Sequence, residues 1–481
     1  MINSEVIVVG AGPAGLNAAL HAANSGCEVL LIDNGNRLGG QYWRHLPKER
    51  DSLNHSLHYN FDKAVALRDA VLSHPRISVK MQTQIWSAAA TDESVVLRAL
   101  SSVESGPKEV VFTTTQLILA TGAYDRAIPF PGWDIPGVMT PGAAQSLLKG
   151  HGVTAGKKMV VAGTGPFLLP VASSLAEQGV EIVELLEAHS PMRWFSRTHL
   201  LLANPQKLSE GLHYALSLIR HGVRMRFNYA VVEAHPHGEE DAAMTGTLEA
   251  VTIARIRPDF TVVSGSERRI ECDALAVGWG FTPDTSLAGA LGLTQKVGLD
   301  GAVVVSVDER QNALETTARI SIYAAGEITG VGGAVLSLHE GAIAGLSSAR
   351  SLNRISEEQY LTATKSLYRS RLRARKFAQA LQDVYTVGDG WRTWLKPTTL
   401  ICRCEEVTCG QVDNAVNELG ARNSRDVKLF SRVGMGMCQG RVCGRNVADY
   451  LRTDDADRIR STHRPIIAPI TLGELARNPL L

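Results

Sequence analysis

The sequence predicts an α/β fold: two dinucleotide-binding units of alternating strand and helix, then a small cysteine-bearing module. Three stretches carry that prediction. Gly10-Ala11-Gly12-Pro13-Ala14-Gly15 follows the short apolar run Glu5 to Val9, and Gly163-Thr164-Gly165 follows a second such run, Lys158 to Ala162. Four of the seven cysteines then stand together near the C-terminus as Cys402-x-Cys404 and Cys438-x4-Cys443.

The first unit reads strand, glycine turn, alanine-rich helix (Leu16 to Ser25), second strand (Glu28 to Ile32), acid (Asp33). Each glycine of G-x-G-x-x-G has a separate task. Gly10 makes the turn, Gly12 lets backbone amides approach a pyrophosphate at the helix N-terminus, and Gly15 lets helix and strand pack closely. Asp33 stands where a carboxylate would accept the ribose hydroxyls. Strand, glycines, helix, strand and acid in register define a Rossmann-like dinucleotide site.

The second unit repeats the pattern at Gly163, Gly165 and, after the strand Glu181 to Leu186, at Glu187. Its third glycine is replaced by Leu168, whose side chain is expected to push the helix off the strand. Glu187 favours NAD over NADP, whereas Arg193 and Arg197 nearby blur that preference. A working nicotinamide site and an inherited fold that has lost one are both open. Ala274 to Gly280 forms a buried strand and turn that leads back to the first unit.

Thiolates at C-x-C and C-x4-C spacing, with glycines that let the backbone fold tightly, suit an iron–sulfur cluster or structural zinc. Zinc prefers C-x2-C pairs, so this spacing favours iron–sulfur over zinc and over free buried thiols. Cys409 reads as a bystander at a helix start.

The other half of the flavin question is carried by Leu38-Gly39-Gly40-Gln41, by the strand and turn Leu117-Ile118-Leu119-Ala120-Thr121-Gly122-Ala123, and by Thr317-x4-Ile322-Tyr323-Ala324-Ala325-Gly326-Glu327. In these features the chain resembles flavoproteins of the glutathione-reductase structural family. The resemblance implies FAD, or another adenine nucleotide in the same site, held by Gly10, Gly12, Gly15, Asp33, Gly39, Gly40, Gln41, Thr121, Gly122, Gly326 and Glu327. Glu327 stands where that family usually has Asp. The cysteine stretch, with Gly434-Met435-Gly436 and Gln439-Gly440 around it, resembles the [2Fe-2S] module of bacterioferritin-associated ferredoxins, which makes Cys402, Cys404, Cys438 and Cys443 the implied ligands.

The organisation that follows is 1–152 for the first part of the FAD domain, 153–282 for the inserted NAD-like domain, and 283–350 for the FAD return. A helical linker spans 351–400, the [2Fe-2S] module 401–455, and a C-terminal arm 456–481; the tail, charged from about Asp454 and then punctuated by Pro465 and Pro469, reads as extended. That order, together with Ile128-Pro129-Phe130-Pro131-Gly132-Trp133-Asp134-Ile135-Pro136-Gly137-Val138, is similar to the larger subunit of bacterial multi-subunit flavin dehydrogenases. These are the opine (octopine and nopaline) oxidases, D-hydroxyproline dehydrogenases and hydrogen cyanide synthase; the nucleotide-binding part of heterotetrameric sarcosine oxidase alpha subunits is also similar. The resemblance implies an oxidoreductase acting on CH–NH groups. It works beside a D-amino-acid-oxidase-like flavin subunit and an external electron acceptor, with a further small subunit and an FMN shared with a partner left open. Two rival readings are an NAD(P)H-dependent ferredoxin-type reductase and a scaffold that holds ADP or ATP for a catalytic partner.

Composition and absences bound the rest. With 49 basic and 48 acidic residues among 481, the net charge is +1, so no global field recruits nucleic acid. No apolar run approaches 18 residues and no charged leader precedes the first strand, which points to a cytoplasmic protein, with a peripheral place at the inner membrane left open. Thiol–disulfide reductases need two redox cysteines close in sequence, and only the distant Cys27 and Cys272 precede Cys402. His339, after the glycines at 330, 332 and 333, is the one histidine worth testing. Arg369, Arg371, Arg373, Arg375 and Lys376 wrap one helix and read as a solvated or subunit-facing surface; Trp391 and Trp394 read as packing the module onto the body.

Overall fold

A computed structural model of the chain describes every residue except 48–49, 59–60, 104–105, 239–245, 314–319, 465 and 478–481. Thr317 and Pro465, used in reading the sequence, lie outside the described residues. The chain divides into two compact units: Met1–Ala123 with Thr282–Ala378 and Thr462–Leu481, and Tyr124–Phe281 with Gln379–Ser461. The inserted nucleotide fold and the cysteine module therefore share one unit.

The first unit is built on a five-stranded parallel sheet in the order Ser321–Ala324, Gln116–Leu119, Val6–Val9, Val29–Ile32, Ile77–Lys80. Successive side chains of a strand point to opposite faces, and both faces of the inner strands Gln116–Leu119, Val6–Val9 and Val29–Ile32 are covered, so these are buried at every position, whereas the edge strand Ile77–Lys80 alternates half-buried and exposed residues. Val6, Val8, Leu31, Ile118 and Tyr323 enter one core, with Ala18, Ala22 and Ala344. Ile7, Val9, Ile32, Leu117 and Ile322 enter another, with Ile85, Leu97 and Phe112. The last three come from the antiparallel strands Thr83–Ala90, Val95–Val103 and Gly106–Thr114.

The helix Pro13–Asn24 lies directly against the helix Ala334–Ser351. A Cβ on Gly341 would stand 2.1 Å from the Ala14 carbonyl oxygen, and one on Gly345 would stand 2.3 Å from that of Ala18. Glycines four apart share a helix face, so this spacing lets the two backbones touch. Asn17 Nδ2 crosses the contact to donate to the Leu338 carbonyl at 2.7 Å.

Two expectations are corrected in this unit. In the helix Glu357–Val384, Arg369, Arg373 and Lys376 are exposed, but the two arginines four apart on one face turn inward. Arg371 donates to the Glu309 carbonyl at 2.7 Å and lies over the Tyr368 ring, and Arg375 donates to Glu340 at 2.5 Å. The tail is not an extended arm. Asp454 caps a helix at Asp455–Arg460, Ile467 is 5% exposed in the first unit's core with its amide donating to the Trp86 carbonyl, and Leu472–Arg477 is helical.

The second unit carries a parallel sheet in the order Val138–Met139, Ala274–Gly278, Lys158–Gly163, Glu181–Glu187, Arg224–Phe227, followed by the antiparallel strands Tyr229–Pro236, Leu248–Arg255 and Arg268–Glu271. The cysteine module adds the short strands Leu400–Cys402 and Val407–Thr408 and the helices Cys409–Asn417, Ser424–Ser431 and Cys443–Leu451, around a small core of Ile401, Val407, Val412, Val427 and Val447. No helix among the described residues is long and apolar enough to cross a membrane.

Gly341→Ala and Gly345→Ala should each destabilise the first unit by about 1–3 kcal/mol, the usual cost of forcing a methyl into a filled contact. Urea unfolding followed by intrinsic fluorescence checks this; midpoints equal to wild type would mean the two helices can separate freely.

Candidate functional site

At the C-terminal ends of four adjacent parallel strands the chain places, in order across the sheet, Asp33, Gly10, Thr121 and Gly326. Ligands of open α/β sheets bind outside those ends. Gly15 is obligatory for the turn, because its Cβ would lie 1.7 Å from the Gly10 carbonyl oxygen. Gly40 has φ +60° and a Cβ there would sit 2.8 Å from the Gly12 Cα, so the loop after Asp33 packs backbone to backbone on the glycine turn. The Gly39 amide donates to the Ala11 carbonyl at 2.8 Å and holds the two together. Asp33 accepts from the amides of Ala11 and Gly35, both at 2.6 Å, which fixes the carboxylate beside the turn. Thr121 donates to the Asp284 carbonyl at 2.7 Å, and the Asp284 amide donates to the Gly122 carbonyl. Gln41 is exposed and accepts from Arg44.

Glu327 turns toward the start of the helix Ala334–Ser351 and accepts from the amides of Gly333 (2.7 Å) and Gly332 (3.3 Å). Burial pushes its carboxyl up to about 7, against the pull of those amides and with the help of Glu340. Glu340 was missed in reading the sequence. It is fully buried, and it accepts from the Gly326 amide (3.0 Å), the Thr329 hydroxyl (2.9 Å) and Arg375. The available signal was an acid inside the small, apolar run from Ala334 to Gly345. His339, its neighbour, is half-buried, and burial lowers its pKa.

The second glycine turn differs from the first. The first helix starts at Pro13, three residues after Gly10, whereas the second starts at Leu168, five after Gly163. Leu168 is buried, and the residues before it form a tighter turn, with the Leu168 amide donating to the Gly165 carbonyl at 3.2 Å and the Leu169 amide to the Pro166 carbonyl at 3.3 Å. Glu187 is also buried. Its oxygens accept from the Thr164 hydroxyl (2.7 Å) and from the amides of Gly165 (2.9 Å) and His189 (3.1 Å), and burial pushes its carboxyl up to about 7.

The four clustered thiols form two pairs. Cys402 is hydrogen-bonded to Cys443, and both are buried; Cys404 is hydrogen-bonded to Cys438, with Cys404 exposed. The Cys443 thiol and the amides of Gly434, Glu405 and Cys404 lower the Cys402 pKa to about 5 despite its burial. Cys443 is driven the other way by the same hydrogen bond and by its own burial. Close turns make the pairs possible: a Cβ on Gly436 would lie 2.3 Å from the Cys404 Cβ. Among the described residues no group of three or more His, Cys, Asp or Glu side chains is arranged to hold a single metal ion. Cys409 opens the helix behind the capping box of Thr408 and Gln411, and burial pushes its thiol up to about 12. Cys27 and Cys272 are buried, with thiols pushed up to about 11 and 12 by that burial.

The stretch Ile128 to Val138 anchors this module. Trp133 Nε1 donates to the Leu400 carbonyl at 2.6 Å, and Arg403 lies over the Trp133 ring and donates to the Asp134 carbonyl. Asp449 receives Arg126 at 2.7 Å and Arg458 at 2.6 Å, while Arg392 donates to its carbonyl.

Residues 4–351 match the pyridine nucleotide-disulphide oxidoreductase family, whose fold implies FAD, and residues 400–453 match the BFD-like [2Fe-2S] binding domain. The chain is 31% identical to the HcnB subunit of hydrogen cyanide synthase from Pseudomonas protegens, over 93% of this chain and 91% of that one. It is likewise 31% identical to an opine oxidase subunit from Agrobacterium tumefaciens, over 99% and 92%. Among solved structures, L-proline dehydrogenase from P. horikoshii shares the fold, with a TM-score of 0.65 at 19% identity over 99% of this chain and 80% of that one. By the extent of these matches the chain belongs to the pyridine nucleotide-disulphide oxidoreductase family, in the group that contains HcnB and this opine oxidase subunit, and it carries a C-terminal [2Fe-2S] domain.

Proposed function

We propose that this chain is the electron-transfer subunit of a heteromeric flavin-dependent dehydrogenase that oxidises an amino acid or opine at a secondary amine. The observation that carries the reading is the gathering of Cys402, Cys404, Cys438 and Cys443, Cys402 beside Cys443 and Cys404 beside Cys438, within the residues that match the BFD-like [2Fe-2S] binding domain. A lone zinc ion needs four donors around one centre, whereas a two-iron cluster takes two thiolates at each iron. Cys402 is held toward the thiolate by the Cys443 thiol and, after it, by backbone amides, the form in which a cysteine binds metal.

The residues at the first glycine turn fit FAD. Gly12 caps its helix without any side chain, a Cβ there would meet nothing nearer than the Gly40 Cα at 4.0 Å, and Asp33 stands at the end of the neighbouring strand with its carboxylate beside the turn. In this reading Gly10, Gly12 and Gly15 admit the pyrophosphate, Asp33, Gly39, Gly40 and Gln41 line the adenosine side, and Thr121, Gly122 and Gly326 the flavin side. Glu327 orders the glycines at 332 and 333 instead of reaching outward. When bound, FAD takes electrons in pairs and a [2Fe-2S] cluster passes them singly. The chain's own residues hold these groups and leave Cys404 at the surface as the side from which a partner is reached.

Support for the substrate class is the family itself, in which relatives named as subunits act on opines or form hydrogen cyanide. The partner is then a D-amino-acid-oxidase-like flavin subunit that binds the amine. The high thiol pKa values of Cys27 and Cys272 argue against disulfide exchange by this member of the family.

Serine at Cys402, Cys404, Cys438 or Cys443 should remove most of the iron from anaerobically purified protein, while Cys409→Ser should retain it; equal iron loss from Cys409→Ser overturns the ligand set. The isolated chain should not reduce dye with opines, hydroxyproline or sarcosine, and should gain that activity when co-purified with its partner subunit. Robust turnover by the chain alone would sink the relay reading.

A further inference from the structure

The second nucleotide fold has its ribose acid, Glu187, at the end of the strand Glu181–Glu187, and in a working fold that carboxylate accepts ribose hydroxyls. Here the ground just beyond it is taken by another stretch of the same chain. The Thr386 carbonyl lies 2.7 Å from His189 Nε2, and Arg193 donates to the Asp383 carbonyl (3.1 Å) and the Thr386 hydroxyl (3.3 Å). Arg197 pairs with the Asp383 carboxylate at 3.0 Å. Trp194 Nε1 donates to the Tyr385 hydroxyl at 3.2 Å, and the Tyr385 ring also packs against His189. Tyr385 is close enough to Glu187 that, beyond the effect of burial, the acid helps raise the phenol's pKa to about 12. Thus Arg193 and Arg197, which the sequence offered as modifiers of nucleotide choice, are both committed to this segment.

The segment is pinned downstream as well. The Gly390 amide donates to the Asp259 carbonyl at 2.6 Å, and Cβ atoms on Gly388 and Gly390 would lie 2.5 Å and 2.4 Å from the backbone at Asp259 and Thr261. Trp394 stacks on Phe260 and donates to its carbonyl, and Trp391 and Trp394 are both buried in the core of the nucleotide fold. We propose that residues 383–386 fill the adenosine-ribose half of the second nucleotide fold, so that this fold takes no nicotinamide cofactor and serves as the mount for the cysteine module. The proposal rests on contacts within the nucleotide fold alone and stands apart from the electron-relay reading.

Calorimetric titration of the FAD-loaded, full-length protein with NAD⁺ and with ADP-ribose tests it. Wild type should show no saturable binding. Arg193→Ala combined with Tyr385→Ala, or the milder Tyr385→Ala alone, should bind NAD⁺ measurably, with affinity improved about tenfold or more, as when the competent fraction of sites rises from under a tenth. Hydrogen exchange should show 383–386 opening in the same variants, and unchanged iron content certifies that they are folded. Saturable binding of NAD⁺ by wild type, with protection spreading over 163–189, overturns the proposal. So does a folded variant whose 383–386 segment opens and which still binds nothing.

Discussion

Asp449 is the point on which the second unit turns. Its carboxylate is largely buried, and Arg126, Arg445 and Arg458 hold it below the usual carboxylate range although burial pulls the other way. These charges come from three places: Arg126 precedes the inserted sheet, Arg445 shares the Asp449 helix, and Arg458 follows it. A carboxylate so enclosed tolerates no loss of partners, because removing one leaves an uncompensated charge out of water. The cysteine module is therefore fixed to the nucleotide fold by a cluster whose parts cannot be exchanged singly, and the Trp133–Arg403 contact aligns the strand that bears Cys402.

The same economy recurs in the first unit at Glu340. Its buried carboxyl is placed where Gly326, Thr329 and Arg375 converge, tying the end of the last strand to two helices. Glu327 then orders the glycine loop before the helix Ala334–Ser351. In this way Glu327 acquires a local role, its side chain reaching the amides of Gly332 and Gly333 just before that helix begins.

Much of this was legible in the sequence, and the reasons are local. A strand ending in G-x-G-x-x-G has few other folds available, and both nucleotide units, the late strand at Ser321–Ala324 and the cysteine module appear where the pattern put them. What was not legible depended on tertiary partners. Nothing near Arg371 or Arg375 in the sequence reveals that Glu309 and Glu340 await them. The tail, punctuated by prolines, hid a buried Ile467 because a single apolar residue leaves no periodicity. At Leu168 the second helix starts five residues after Gly163 where the first starts three after Gly10, a difference in turn length that the glycine pattern does not display. Glu340 and the 383–386 segment required knowledge of which distant strands and helices meet.

The way the two units interleave along the chain has a consequence for its synthesis. The first unit's central sheet lacks its edge strand Ser321–Ala324, and its opening helix lacks the partner Ala334–Ser351, until more than three hundred residues have left the ribosome. The second unit in turn waits for Gln379–Ser461, and Ile467 closes the first unit's core after that. Domains ordinarily fold in the order they emerge. Here the amino-terminal segment is made first and completed last, so its unpaired sheet edge and alanine-rich helix face stay open through most of translation, and a stop codon between Gln379 and Ser461 would leave both units unfinished.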